Sequence, residues 1–247
     1  NAIRRATPRR SPSSASASVE TEAVSIDTPV AETATVKLRI TEIFASVQGE
    51  STRVGLPTVF VRLTGCPLRC VWCDSEHSFT GGKRMSQSQV IEAVAHYGAR
   101  QVCVTGGEPL AQKACLPLLS ALCDAGYDVS LETSGALDIG GVDPRVSRIV
   151  DLKAPGSGES AKNRWQNLAL LTPRDELKFV LMDRTDYEWA RDIVREHQLD
   201  AVCPVLFSAV QGELQPVDLA EWILADGLHV RFQMQLHKLL WGNMQGK

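Results

Sequence analysis

Three cysteines, Cys66, Cys70 and Cys73, fall within eight residues of the stretch "GCPLRCVWCDSEHS" (65–78). A disulfide uses two thiols and a structural zinc site usually takes four nitrogen or sulfur ligands. Soft thiolates select iron-sulfur clusters, zinc or copper(I). A trio from one short loop suits a four-iron, four-sulfur ([4Fe-4S]) cluster that keeps one iron open to another molecule. Zinc completed by His77 is the competing reading, and no second cysteine pair supports it. An electron-transfer ferredoxin would need a fourth cysteine nearby. Cys103, Cys115, Cys123 and Cys203 instead lie singly in apolar stretches, where a small buried hydrophobe fits. With seven cysteines in all, a disulfide scaffold is not expected, and the clustered thiols point to a reducing, cytoplasmic compartment.

The chain has 247 residues, 44% of them hydrophobic, which is enough for one sizeable core with a tail. A formal charge of -3 argues against a nucleic-acid partner and for a small-molecule substrate. No apolar run reaches the ~18 residues that span a bilayer, so no membrane partner is expected. Residues 1–36 are rich in Ser, Ala, Thr and Pro without helical or strand period, which predicts a disordered extension ahead of a core domain at 37–247. The first nineteen residues carry four arginines and no acid, as a transit peptide would, but Glu20, Glu22, Asp27 and Glu32 cancel that charge. A plain extension is the expectation.

The cysteine loop needs a frame, and from residue 58 onward β-branched runs alternate with helical patterns. Strands are expected at 58–64, 101–105, 128–133, 148–152, 176–181, 201–207 and 229–237. Ser86 with Gln89 forms a capping box ahead of Val90, Val94 and Ala95, and Thr185 with Glu188 does the same ahead of Trp189, Ile193 and Val194. Pro117 sits in the first turn of a helix that Gly126 closes. This rhythm implies right-handed crossovers and a mostly parallel α/β sheet, closed or partly closed into a barrel. The unusual residues share one phase: Gly65-Cys66, "TGGEP", "ETSG", "DLKAP" and His237 each follow a strand. Parallel α/β folds gather their active sites at that carboxyl rim. Parity puts Val59, Val61 and Leu63 on one face of the first strand and Arg62 on the other, facing the barrel lumen. The last strand alternates Val230, Phe232, Met234 and Leu236 with Arg231, Gln233, Gln235 and His237; its apolar face is expected against helices and its polar face at the barrel mouth.

The pattern Cys66-x3-Cys70-x2-Cys73, with Trp72 before the third cysteine, resembles the radical S-adenosylmethionine (radical SAM) superfamily. "TGGEP" (105–109) looks like that superfamily's Gly-Gly-Glu motif, so Gly106, Gly107 and Glu108 are expected to hold the amino end of SAM. Ser134 in "ETSG" and Lys153 in "DLKAP" fall where further SAM contacts are placed, and Trp72 and Asp74 flank Cys73 on the SAM side. The resemblance implies an incomplete TIM-like βα barrel of the radical SAM type.

Within the superfamily, "FASVQGES" (44–51), "GLPTVFVRLTGCPLRCVWCDSEHSF" and "FQMQLHKLLWG" are similar to the 7-carboxy-7-deazaguanine synthase family, from about residue 40 to the end of the chain. That resemblance implies ring contraction of 6-carboxy-5,6,7,8-tetrahydropterin with loss of ammonia, in queuosine and 7-deazapurine biosynthesis. It implies substrate contacts from Val47, Gln48, Gly49, Thr105, Arg62 and His237, with the Arg62 fork receiving the substrate carboxylate. His237 or Glu50 would move protons in later steps. Ser75 stands where the family usually has a Thr that ligates magnesium (Mg2+), and a hydroxyl oxygen suits that hard ion. A late-strand Gln-Pro-x-Ser run of the family reads here "VCPVLFSAVQGEL", leaving Ser208 as the residue to watch. An electron donor such as flavodoxin or ferredoxin and a homodimer are further implications. The rival readings are a glycyl-radical-enzyme activase and a non-catalytic iron-sulfur or zinc module.

Overall fold

The structure, a computed structural model, describes residues 37–242, 244 and 246. The expected disordered extension at 1–36 lies outside the described residues. A nine-stranded sheet runs in the order β3-β1-β2-β4-β5-β6-β7-β8-β9. Its strands are β1 (Lys37–Val47), β2 (Pro57–Leu63), β3 (Lys83–Ser86), β4 (Gln101–Gly106), β5 (Asp128–Thr133), β6 (Ser147–Asp151), β7 (Glu176–Leu181), β8 (Val205–Ala209) and β9 (Arg231–Gln233). From β2 to β9 every pairing is parallel, whereas β1 pairs antiparallel with both β2 and β3. Helices α1 (Gln87–Ala95), α2 (Cys115–Asp124), α3 (Arg184–His197), α4 (Pro216–Asp226) and α5 (Leu236–Trp241) complete the chain.

The lateral opening of this unclosed barrel is bridged by residues 48–56, between β1 and β2. The Ser51 N–H donates to Gln233 Oε1 at 3.0 Å and Gln233 Nε2 donates back to the Ser51 carbonyl at 2.8 Å. The Leu236 N–H reaches the Gly49 carbonyl at 2.9 Å, and Thr52 donates to Glu176 through both its N–H and its hydroxyl. The apolar faces meet the helices on the other side of the sheet. Val59, Val61 and Leu63 are fully buried with Val90, Val94, Leu118 and Leu122, and Phe179 and Phe207 pack with Tyr187, Ala190 and Leu219.

The capping box at Ser86 and Gln89 is present, and Gly126, at a φ of +88°, directly follows the end of α2. Other expectations need correction. The N-cap of α3 is Asp183, which accepts the Asp186 N–H at 2.9 Å; Thr185 is already the second residue of the first turn, past the position from which a side chain accepts the exposed amides. Strand β8 begins after Pro204, which has no N–H to give a ladder, and residues Leu199–Ala201 form a 3-10 turn. The expected strand at 229–237 shrinks to three residues, since Leu236 bonds across to Gly49 and starts α5. His237 therefore sits on a helix. The parity argument fails there too: Gln233 is buried on Ser51, while Phe232 and Met234 are over a third exposed. Strands β1 and β3 are additions to the expected set. β1 hides because its alternation slips at Thr41, an extra residue between the pairs Ile40↔Leu63 and Glu42↔Arg62. β3 is four residues of edge strand with two cations.

Candidate active site

One cavity of about 580 Å³ opens at the carboxyl rim of the sheet, within the size range of small-molecule sites. Its floor is made where two strand ends meet. Beyond β2 and β4 the backbones stay in register, with the Gly107 N–H on the Leu63 carbonyl at 3.3 Å and the Glu108 N–H on the Gly65 carbonyl at 2.9 Å. A Cβ on Gly106 would stand 2.4 Å from the Leu63 carbonyl oxygen, and one on Gly107 would stand 2.6 Å from Cys66 Cβ. The double glycine is thus required by the close approach of the cysteine loop.

Cys66, Cys70 and Cys73 all line the cavity. Burial pushes the Cys66 and Cys70 thiols up, so a bound cation has to supply the charge that makes them thiolates. Among the described residues no three His, Cys, Asp or Glu side chains converge on a single-ion position. His77 is turned to Glu42, with Nε2 3.3 Å from Oε1, so it is not poised to complete a zinc site. The donor set of three soft sulfurs, spread along a loop and open to a cavity, fits a [4Fe-4S] cluster. Trp72, Asp74 and Ser75 line the same wall. Ser75 precedes the 3-10 turn Glu76–Ser78 without capping it, and its hydroxyl lies 3.8 Å from Cys73 Sγ. Lys238 at 3.0 Å holds the Asp74 carboxyl below the usual range.

Glu108 is placed differently from the expectation. It is fully buried and is not among the residues that line the cavity. Its carboxylate accepts from the Leu110 N–H, the Thr133 hydroxyl, and both the N–H and the hydroxyl of Ser134. Glu108 therefore fixes the loop after β5, and Ser134 is the residue it presents to the cavity.

The same cavity carries the remaining expected residues. Val47, Gln48 and Gly49 follow β1, and Gln48 Nε2 donates to Glu132 at 3.3 Å. Gly49 is glycine because His237 lies on it: a Cβ would meet His237 Nδ1 at 2.1 Å. Thr105 donates to Glu132 at 3.0 Å. Arg62 points into the lumen as parity required, donating from Nε to Glu42 at 2.7 Å. Glu50 accepts from Lys178 Nζ at 2.5 Å and Gln235 Nε2 at 2.6 Å. Burial alone would raise its carboxyl; the Lys178 charge and these bonds hold it below the usual range. Lys178 also faces Asp151, 3.7 Å away, and Lys153 pairs with Asp151 at 2.9 Å. Burial opposes the charge on both lysines, yet the neighbouring carboxylates raise both above the usual range.

Glu42, Glu132, Asp151 and Lys178 belong to this site and were not singled out in the sequence. "LETSG" and "DLKAP" contain two of them, and the lumenal parity that found Arg62 applies equally to Lys178. Ser208, by contrast, is buried on β8 without a hydrogen-bond partner among the described residues, and Val210 and Gln211 line the cavity beyond it. Gly242, Met244 and Gly246 of the C-terminal segment also line the cavity.

A family model described as the radical SAM superfamily matches residues 60–197. A 7-carboxy-7-deazaguanine synthase of Koribacter versatilis is 45% identical over 219 residues, covering 83% of this chain and 97% of its own. One of Chlorobaculum tepidum is 46% identical over 207 residues, covering 83% and 94%. A crystal structure of QueE from Escherichia coli superposes with a TM-score of 0.68 at 25% identity, covering 81% of this chain and 95% of that one. The incomplete barrel, the cysteine loop at its rim and these likenesses agree: the chain belongs to the 7-carboxy-7-deazaguanine synthase family of radical SAM enzymes.

Proposed function

We propose that the chain is a lyase that converts 6-carboxy-5,6,7,8-tetrahydropterin to 7-carboxy-7-deazaguanine with loss of ammonia, using a [4Fe-4S] cluster and SAM. The observation that carries this reading is that one cavity holds both the three-cysteine loop and Arg62, Gln48 and His237. Cys66, Cys70 and Cys73 would hold the cluster, which when bound supplies the electron that turns SAM into a hydrogen-abstracting radical.

The chain's own residues position and enclose the reactants. Gly106, Gly107, Ser134 and Lys153 form the side of the cavity next to the cysteines and suit the SAM amino acid moiety; Trp72 and Asp74 border it. Arg62 receives the pterin carboxylate with its guanidinium fork. Val47, Gln48, Gly49, Thr105 and His237 frame the pterin, and Ser75 would offer a hard oxygen to Mg2+. Glu50, kept ionised by Lys178, enters any later proton transfer as an acceptor; His237 is the second candidate. A glycyl-radical-enzyme activase would have no use for Arg62 and Gln48 in a small-molecule cavity.

The electrons come from an external one-electron carrier such as flavodoxin or ferredoxin, and the family resemblance supports a homodimer. Among the described residues no helix is long and apolar enough to cross a membrane, and the unpaired cysteines suit a reducing cytoplasm. The core domain is taken as 37–247.

Anaerobic reconstitution tests the assignment. Cys70→Ala is expected to lose the cluster and SAM cleavage together, whereas Arg62→Ala keeps the cluster and loses pterin turnover. Equal loss of iron in both variants would contradict these roles, and absence of product from the wild-type protein, by mass spectrometry, would remove the reaction.

A further inference from the structure

Strand β1 carries an irregularity whose effect is local and chemical. Leu38 and Ile40 are buried on the helix side of the sheet, and Ile43 packs against the same core. Ile43 is an odd number of residues from both, which a regular strand forbids on one face. The extra residue is Thr41: Ile40 pairs with Leu63, and the next pair is Glu42 with Arg62. The Thr41 hydroxyl, 2.7 Å from that of Thr64, pins the bulge. Without it Glu42 would face the apolar core. With it, Glu42 and Phe44 turn into the cavity with Arg62.

Both then act on the guanidinium. Glu42 Oε1 takes Arg62 Nε at 2.7 Å, and the Phe44 ring centroid lies 5.9 Å from Arg62 Cζ. The same Glu42 oxygen is held from the other side by His77 at 3.3 Å. Among the described residues the Arg62 side chain makes no other hydrogen bond, so the Nη1 and Nη2 end of the fork is left for a ligand. The pair is partly buried, with side-chain exposures of 19% and 23%. An arginine anchored at Nε can take a carboxylate through its two terminal nitrogens and not side-on.

Resting on the pterin reading above, we infer that Glu42 is a positioning residue: delivered by the Thr41 bulge, it holds Arg62 by its Nε so that the Nη pair meets the substrate carboxylate end-on. It also sets specificity, because a misaimed fork no longer separates carboxylated from uncarboxylated pterins.

The test compares binding of 6-carboxypterin and of pterin to anaerobically reconstituted protein by calorimetry, with Glu42→Gln and Glu42→Asp variants. Wild type is expected to prefer 6-carboxypterin, Glu42→Gln to lose about ten-fold of that preference, and Glu42→Asp to recover part of it, all with unchanged iron content. In turnover, Glu42→Gln should raise KM for the carboxytetrahydropterin far more than it lowers kcat. An unchanged preference in Glu42→Gln beside a discriminating wild type overturns the positioning role. So does a stronger preference, which would make Glu42 a competitor for Arg62. If wild type does not discriminate, the substrate reading fails first and this inference with it.

Discussion

The two ends of the strand pair β6–β7 carry the same kind of group and treat it in opposite ways. At the amino end Arg148 and Asp175 close on each other. Asp175 accepts from the N–H, Nε and Nη2 of Arg148 and from the N–H and hydroxyl of Thr172, and its side chain is 1% exposed. At the carboxyl end Asp151 faces Lys178 and Lys153, Lys178 reaches across to Glu50, and all of them border the cavity. The base is saturated and the rim is not. A buried ion pair with every lone pair used is architecture; one that keeps donors and acceptors turned to a cavity is prepared for a ligand.

The largest effect should come from the closed end. Asp175→Asn leaves Arg148 without its counter-charge in a buried place and should cost on the order of 3–5 kcal/mol, read by denaturant unfolding, with activity per folded molecule unchanged. Lys178→Met at the open end should cost less stability, roughly 1–3 kcal/mol, while lowering pterin turnover on the order of 100-fold. Equal stability losses with equal turnover would erase the contrast between the ends. Acid titration sharpens it further. Burial raises the Asp175 carboxyl, but the Arg148 and Thr172 bonds hold it below its ordinary value on balance. The stability it contributes is therefore complete above the unfolded carboxylate range and is lost as pH falls through about 4 and below. Asp175→Asn should flatten that acid limb. The smallest effect concerns a rim acid that only caps a helix: Asp183→Ala should cost about 1 kcal/mol, and Thr185→Ala should stay within about 0.5 kcal/mol. A reversed order would restore the cap to Thr185.

The contrast also explains what the sequence disclosed. The cysteine loop, the double glycine and Arg62 were legible because each is dictated by neighbours in the chain: spacing, turn chemistry and strand parity. The role of Glu108 was not, since its partners Thr133 and Ser134 come from another βα unit. His237 was misplaced onto a strand because the alternation of 229–237 is real as a pattern, while the bond from Leu236 to Gly49 that ends the strand is tertiary. Glu42 was hidden for a related reason. A one-residue bulge breaks the period on which face assignments depend, and nothing in "KLRITEIFASV" marks Thr41 as the residue to skip.

The bridge of residues 48–56 across the gap between the first and last strands ties ligand to fold. Gln48 and Gly49, on the cavity wall, are continuous with Ser51 and Thr52, which fasten β9 and β7. A pterin seated against that wall would act as a hoop on the open side of the stave-work, adding about 2.7 kcal/mol at a hundredfold excess over its Kd. Amide hydrogen exchange in β9 and α5, the last staves, should slow most when the substrate binds.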